Sequence, residues 1–340
     1  MRTILYETVG ILRSSPSVGQ LNPGSPRYLR FYRRDLIKQN RSENQLWYMH
    51  DKYGASLRSL LLSTGDPDQY EGFIKMEAGR LSLERLIKIL GYGCKFTDAS
   101  DLLISTDPSP TGRTRSERSI VSKYVLEIIW KVVLKGKVEK LRELYDLLRD
   151  KPAVSTAAGM IFEFRVHQLL QEGRILDLFS ICGRISDEGI NVIYDKHATT
   201  NPACVTLPKL KESLFANEAE IPFEVGTYYR PQNTNFPSID SWVPVQLPFQ
   251  EDPILFLFRI TLNMTKHNVK KSDLDRIDKF GKGVQKCLVV ITPTGVQPDI
   301  IVPWEDHLKN KSSSGVDPNL VFPVFHHQIN YDELFPPLSL

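Results

Sequence analysis

The chain has 340 residues, of which 41% are hydrophobic and 24% charged, as is typical of a globular protein with one large or two ordinary domains. The net charge is only +3, so the overall charge does not predict nucleic-acid binding, which would need a local basic surface. No stretch approaches 18 apolar residues and the four cysteines show no paired spacing, so neither a membrane span nor a zinc finger is predicted. The first residues also lack the long apolar region and the cleavage site of a secretion signal.

The N-terminal part of the chain predicts an arm followed by a mostly helical unit. Residues 1–30 are rich in Ser, Gly and Pro, and we expect them to form a poorly ordered arm. Over residues 31–150, apolar residues recur at helical spacing, Gly54 marks a break and Asp66-Pro67 marks the start of a helix. Further helices are predicted over 81–90, 120–133 and 138–148, and a short strand over 102–106.

Three arginines, Arg113, Arg115 and Arg118, lie directly before the helix predicted over 120–133. A phosphate contact and a solvated surface are the two alternatives for them, and the sequence leaves both open. No Gly-rich phosphate loop, nucleophile elbow or zinc-binding helix motif occurs anywhere in the sequence. We therefore expect residues 31–150 to lack a functional ATP site.

A linker at residues 150–153 marks the start of a second domain, predicted over 151–310, and residues 311–340 form a predicted C-terminal tail. The domain begins with a helix over 157–170 that carries Glu163 at the edge of its apolar stripe. The other predicted elements are strands over 176–181, 191–195, 221–229, 238–243, 254–262, 287–292 and 300–302, and a charged helix over 272–280. This order predicts an α+β fold in which a central mixed sheet is flanked by helices.

Two charged residues stand out within the predicted strands. Arg259 interrupts the nearly continuous apolar run Ile254–Leu262, and Asp240 lies between hydrophobic neighbours in the preceding strand. Ionised groups rarely enter a buried strand without a partner or a task. We therefore expect Arg259 to pair with Asp240 or Glu163, either as a structural ion pair or as part of a functional site.

The order of these features resembles that of a nuclease superfamily. A helix with one glutamate, a strand with one aspartate and a strand with polar residues two apart follow one another as in the PD-(D/E)XK nucleases. More specifically, roughly residues 45–305 are similar to the C-terminal part of Crinkler and retrotransposon-hot-spot proteins. The segments that carry this resemblance are Tyr53–Arg58, Ser116–Tyr124, Ala158–Glu163, Tyr228–Pro231, Phe236–Ser241 and Leu257–Leu262 with His267.

The resemblance implies a restriction-endonuclease-like fold for residues 151–310, preceded over 31–150 by the lid portion of a P-loop NTPase that lacks its phosphate site. In that superfamily, carboxylates hold a divalent metal that activates water, and a lysine stabilises the developing charge. By resemblance, Glu163 and Asp240 are the metal-binding carboxylates, and Mg²⁺ is the metal of an active enzyme.

The remaining site residues depart from the superfamily pattern. Arg259 stands where family members often place glutamine or glutamate, and Thr261 stands where the superfamily has lysine. The resemblance then leaves Lys266 or Lys270 to supply a displaced ammonium group, next to His267. Arg259 would put a cation where the metal should sit.

The resemblance implies three alternative functions. The first is a catalytically degenerate, nuclease-like module that binds nucleic acid or a partner protein. The second is an active metal-dependent DNA endonuclease, and the third is a truncated fragment of an NTPase–nuclease protein with no activity of its own. DNA and an NTPase-bearing partner chain are the expected partners, no membrane association is expected, and the expected location is intracellular, with the nucleus as one candidate compartment.

Overall fold

The computed structural model of the chain describes residues 43–54, 66–91, 102–109, 112–149, 155–185, 191–197, 201–215, 224–231, 239–247, 250–262, 267–269, 284–297, 300–303 and 323–336. Its helices are α1 (Glu43–Tyr53), α2 (Pro67–Gly79), α3 (Leu83–Gly91), α4 (Lys123–Val132), α5 (Val138–Arg149), α6 (Ser155–Glu172) and α7 (Tyr331–Leu334). The first strands are β1 (Ile104–Ser109), β2 (Gly112–Ile120), β3 (Arg174–Ile185), β4 (Asn191–His197), β5 (Ala203–Leu207) and β6 (Lys211–Phe215). The later strands are β7 (Thr227–Pro231), β8 (Ser241–Val245), β9 (Ile254–Ile260), β10 (His267–Asn268), β11 (Gln285–Pro293), β12 (Ile300–Pro303) and β13 (Val324–Ile329).

Side-chain caps determine where two helices of the N-terminal half begin. The Asp66 carboxylate accepts a hydrogen bond from the Gln69 backbone N–H at 2.9 Å, and a proline follows it, as the sequence predicts for α2. The Ser122 hydroxyl caps α4 by accepting from the Val125 N–H at 3.2 Å. The same hydroxyl donates to the Lys52 carbonyl at 2.6 Å, so this cap also ties α4 to α1.

Within the described residues, eleven strands form one mixed sheet, and β1 and β2 form a separate antiparallel hairpin. The strand order in the sheet is β10-β12-β4-β3-β13-β11-β9-β8-β7-β6, and β5 pairs with β3 outside this path. β9 and β13 run parallel to β11 on either side of it, whereas β7, β8 and β9 are antiparallel neighbours. Because β8, β9 and most of β11 are buried, their sequences are apolar runs rather than alternating patterns.

Hydrophobic side chains form one core that extends through both halves of the chain, from Met49 in α1 to Phe335 after α7. Alternate residues of β9, Phe256 and Phe258, belong to this core. Leu257, on the opposite face of the same strand, belongs to a second cluster. Among the described helices, none combines the length and the hydrophobicity that crossing a membrane requires.

The structure confirms an α+β fold with a large mixed sheet. The predicted unit of three strands is confirmed in its order, because β7, β8 and β9 lie side by side and residues 254–260 are extended. Its bounds differ: β7 begins at Thr227 and includes Arg230 and Pro231, which were expected in a turn, and β8 begins only after Asp240. The restriction-endonuclease-like assignment and the division near residue 150 remain predictions. The arm over 1–30 and the charged helix over 272–280 lie outside the described residues.

Three segments differ from the sequence-based expectation. The segment with Arg113, Arg115 and Arg118 forms β2, in register with β1, rather than the start of a helix, which begins only at Lys123. Strands β5 and β6 were not predicted; each has only five residues, of which three are exposed, so neither shows a buried apolar run. Residues 324–329, assigned to the tail, form β13 between β3 and β11.

Candidate functional site

Adjacent strands place two of the candidate residues beside each other. Asp240 directly precedes β8, and Arg259 is the last residue but one of β9. Ser241 is opposite Phe258 in the β8–β9 ladder, and the Asp240 backbone N–H donates to the Phe258 carbonyl at 2.9 Å. The pairing of the strands therefore brings Asp240 to Arg259.

Both carboxylate oxygens of Asp240 accept hydrogen bonds. Arg259 Nη1 donates to Oδ1 at 3.2 Å, and the Ile260 backbone N–H donates to Oδ2 at 2.7 Å. The Asp240 side chain is only 9% exposed and that of Arg259 is 21% exposed. The ion pair expected from the sequence is therefore confirmed, with Asp240 as the partner.

Helix α6 carries the second acid, Glu163, towards the same part of the sheet. One turn earlier, Gly159 faces the end of β9: a Cβ there would lie 3.9 Å from Leu262 Cδ1. The Glu163 carboxylate forms an ion pair with Lys123, and His167 Nε2 lies 3.3 Å from the same oxygen, Oε1. Glu163 is 14% exposed, whereas the Lys123 side chain is 51% exposed.

Lys123 is the site residue that sequence reasoning missed, because Lys266 and Lys270 were the expected sources of an ammonium group. It is the first residue of α4, after the Ser122 cap. A cation at a helix N-terminus opposes the helix dipole, and α4 has no acidic residue in its first turn. Because this position is unfavourable for a lysine, it was the one sequence feature that could have indicated an acidic partner for Lys123 on another element.

A buried series of hydrogen bonds runs from Glu163 to Ser241, the residue that follows Asp240. His167 Nδ1 lies 2.5 Å from the Tyr228 hydroxyl, which lies 2.6 Å from the Ser241 hydroxyl. Ser241 follows Asp240 in the chain, and His167 contacts Glu163 one helical turn away. The polar groups thus form one network across α6, β7 and β8, and each buried member has a partner.

The two acids differ in their acidity. Burial raises the pKa of Asp240, and the charge of Glu163 raises it further, against the opposing effects of Arg259 and Lys123. Burial also acts to raise the pKa of Glu163, but Lys123 and His167 outweigh it and lower that pKa. Burial lowers the pKa of His167. Glu163 is therefore held as a carboxylate beside Lys123, and Asp240 is the more easily protonated of the two.

The described residues do not fit the Mg²⁺ site that the resemblance implies. Mg²⁺ is usually held by one or two carboxylates, with water completing its octahedron, so those carboxylates must be open to it. Within the described part of the chain, no group of three or more His, Cys, Asp and Glu residues is placed to hold a metal ion. Lys123 on Glu163 and Arg259 on Asp240 supply the compensating positive charge instead.

Of the other candidates, Thr261 lies at the end of β9, whereas His267 lies on a different strand, at one end of the sheet order. Thr261 follows β9, and its backbone N–H donates to the Ile291 carbonyl at 3.0 Å. His267 begins β10, beside β12, and its side chain is outside the described residues. Lys266 and Lys270 are outside them too.

His326 and His327 are central to the sheet rather than part of a tail. His326 Nδ1 lies 2.8 Å from His197 Nε2, and its Nε2 lies 2.7 Å from the Thr292 hydroxyl. Burial lowers the pKa of His326 to about 3 and that of His327 to about 4, so both imidazoles are neutral at pH 7. Both ring nitrogens of His326 thus have partners within the core, and His327 Nδ1 lies 3.1 Å from the Asp177 carbonyl.

Comparison of the chain with models of protein families, with curated proteins and with solved structures finds no match.

Proposed function

We propose that this chain is a nuclease-like protein of the Crinkler and retrotransposon-hot-spot type, with an acidic site closed by internal ion pairs. In this proposal it binds nucleic acid and does not hydrolyse it. The expected partner is DNA, held through its phosphates rather than through a metal ion.

One observation carries the proposal: each of the two expected metal ligands is engaged by a cation of the chain itself. Arg259 lies 3.2 Å from Asp240, and Lys123 is paired with Glu163. A divalent ion would have to displace both cations from a largely buried site, where uncompensated charge costs several kcal/mol. Because Arg259 and Lys123 compensate the charges of the two acids without a metal ion, the site supports a binding module rather than a hydrolase.

The test measures DNA cleavage and DNA binding on the same preparations. Wild type, Asp240→Ala and Arg259→Glu are incubated with DNA and Mg²⁺ or Mn²⁺, and binding is followed by fluorescence anisotropy at about 50 and about 200 mM salt. We expect no cleavage by wild type above that of Asp240→Ala, and affinity that falls as salt rises. Arg259→Glu should raise Mn²⁺ affinity, measured by calorimetry, more than it raises cleavage.

A second candidate function is the active metal-dependent endonuclease, and the position of Lys123 favours it. Its ammonium group lies beside Glu163 and influences Asp240, so it could serve in place of the superfamily lysine that Thr261 replaces. Robust cleavage by wild type that both Asp240→Ala and Lys123→Gln abolish would establish this function. Such a result would overturn the proposal that the chain does not hydrolyse DNA. Absence of any DNA binding would overturn the proposal that it binds nucleic acid.

A further inference from the structure

A cavity of about 140 Å³ shares Lys123 with the acidic site: Lys123 lines the cavity and is paired with Glu163. Its walls include Tyr48 and Lys52 of α1, Lys123 and Tyr124 of α4, Leu214 of β6 and Arg230 of β7. Cavities of about 150 Å³ hold one aromatic ring, and pockets for drug-sized ligands are larger. The size therefore suits a single ring and excludes a stacked duplex.

The charged residues of this cavity are mostly cationic. Lys52, Lys123 and Arg230 line it, and Glu127 is the one acid among the lining residues. Glu127 already accepts a hydrogen bond from Arg230 Nη2 at 2.6 Å, while Arg230 Nε lies 3.2 Å from a Glu212 oxygen. These contacts fix the guanidinium in place between α4, β6 and β7, and an incoming phosphate would share it with the two carboxylates.

Aromatic rings form the adjoining wall. The Lys52 ammonium lies 4.5 Å from the centroid of the Tyr124 ring and 5.7 Å from that of Tyr48. The Tyr124 hydroxyl bonds to Glu71, which holds the ring in position. Tyrosine faces beside basic side chains are the combination on which unpaired bases stack in single-stranded nucleic acid.

We propose that this cavity binds one unstacked nucleotide of a single strand, with its base against Tyr48 and Tyr124 and its phosphate at Lys123 and Arg230. This inference rests on the proposed nucleic-acid function and specifies its substrate class as single-stranded or locally unpaired. Leu214, which is 43% exposed on β6, also lines the cavity, and in this proposal it packs against the base.

The experiment fills the cavity without changing any charged residue. Leu214→Trp places a large side chain into the cavity, and Ile175→Trp makes the same change at an exposed apolar position on β3. Tyr48→Ala removes one ring and Tyr48→Phe retains it. Far-UV circular dichroism and the unfolding midpoint show that each variant is folded before its binding is measured.

The probes are a labelled single-stranded oligonucleotide, the matching duplex, thymidine monophosphate, thymidine and inorganic phosphate. Leu214→Trp and Tyr48→Ala should weaken single-strand binding by about tenfold, the loss of one stacked base, whereas Ile175→Trp and Tyr48→Phe should not. Thymidine monophosphate should compete better than thymidine or phosphate alone, and the duplex should bind more weakly than the single strand.

The outcomes separate this inference from the proposed function. If the oligonucleotide binds but Leu214→Trp and Tyr48→Ala leave its affinity unchanged, the cavity proposal is overturned and the proposed function stands. If thymidine monophosphate binds in a Leu214-dependent way but no oligonucleotide binds, the cavity is supported as a nucleotide site and the nucleic-acid function fails. If neither probe binds, both are overturned.

Discussion

Lys123 and Arg259 neutralise the two acids in different structural settings. The Arg259–Asp240 pair lies between adjacent strands, and a backbone N–H adds a second bond to the same carboxylate. The Lys123–Glu163 pair joins two helices, and its lysine is about half exposed. Because solvent screens the Lys123–Glu163 pair more strongly, that pair contributes little to stability by itself. The buried contact between Glu163 and His167 adds to the stability that Glu163 provides.

Glu163→Gln should destabilise the protein at pH 7 by about 1–2 kcal/mol, because Lys123 and His167 lose a charged partner. The pKa of Glu163 is lower in the folded than in the unfolded chain, so its stabilisation is present above the usual value of 4.5 and is lost as the pH falls below it. Urea unfolding at pH 7, 4.5 and 3 should therefore show the difference between wild type and variant shrinking towards acid.

Glu143→Gln is the matched control for this series. Glu143 pairs with Lys140 at 3.2 Å on the surface of α5, where both side chains are about half exposed. We expect it to change the free energy of unfolding by less than about 0.5 kcal/mol at any of these pH values. A Glu163→Gln difference that stays constant from neutral pH to the acid end of the series would contradict the lowered pKa.

At the level of elements, the connection from α6 to β3 is unusually tight. Gly173 has a φ of +84°, and a Cβ there would lie 2.7 Å from the Lys209 nitrogen and 2.8 Å from the Pro208 carbonyl carbon. Near it, the Leu210 N–H donates to the Gln171 carbonyl at 2.9 Å. This close approach holds the segment before β6 against the end of α6, the helix that carries Glu163.

Gly173→Ala should cost about 2–4 kcal/mol of stability, because it combines backbone strain with a steric clash against main-chain atoms. Gly136→Ala tests the strain alone, since Gly136 has a φ of +66° and a Cβ added there would meet no other atom within 4 Å. We expect Gly136→Ala to lower the free energy of unfolding by about 1–2 kcal/mol. Equal losses of unfolding free energy for the two variants in urea titrations would show that the contact with Pro208 and Lys209 relaxes freely.

Elements with a strong local signal are the ones that the sequence predicted. The apolar run of β9 and the Asp66 cap of α2 are each determined by a few consecutive residues, so the sequence alone indicates them. The signal was absent in β5 and β6, which are five residues long and mostly exposed, and misleading in β2, where charged residues preceded an amphipathic helix. In these strands, pairing with distant neighbours decides the structure.

The candidate site shows the same limit. The Arg259–Asp240 pair was predictable, because a buried arginine needs a carboxylate and the neighbouring strand offered one. The contact between Lys123 and Glu163 spans forty residues and two helices, and no local pattern encodes it. The same holds for Arg230, whose partners Glu127 and Glu212 lie on other elements.

At the level of the whole molecule, α7 and the residue after it contact helices from both halves of the chain. Phe335 is fully buried, with its ring centroid 5.1 Å from that of Tyr145 in α5. Arg142 of α5 donates to the Phe335 carbonyl at 3.3 Å, and Arg165 of α6 donates to the Leu334 carbonyl at 2.9 Å. These contacts join segments on both sides of residue 150.

Phe335→Ala should therefore destabilise the protein by about 3–5 kcal/mol and still leave a single unfolding transition. Near-UV and far-UV circular dichroism, recorded during the same urea titration, should give coincident curves for wild type and variant. Two separate transitions, with only one shifted by the substitution, would show instead that the two halves unfold as independent domains.

The position of β13 has a consequence for the order in which the nascent chain can fold. β13 comes last of the strands in chain order, yet it lies between β3 and β11 and joins two groups of strands. During synthesis at about 5–20 residues per second, β11 would precede β13 by roughly 2–7 s. Over that interval both neighbours present unpaired edges, so the ribosome-bound intermediate is the stage at which chaperone binding or aggregation competes with folding.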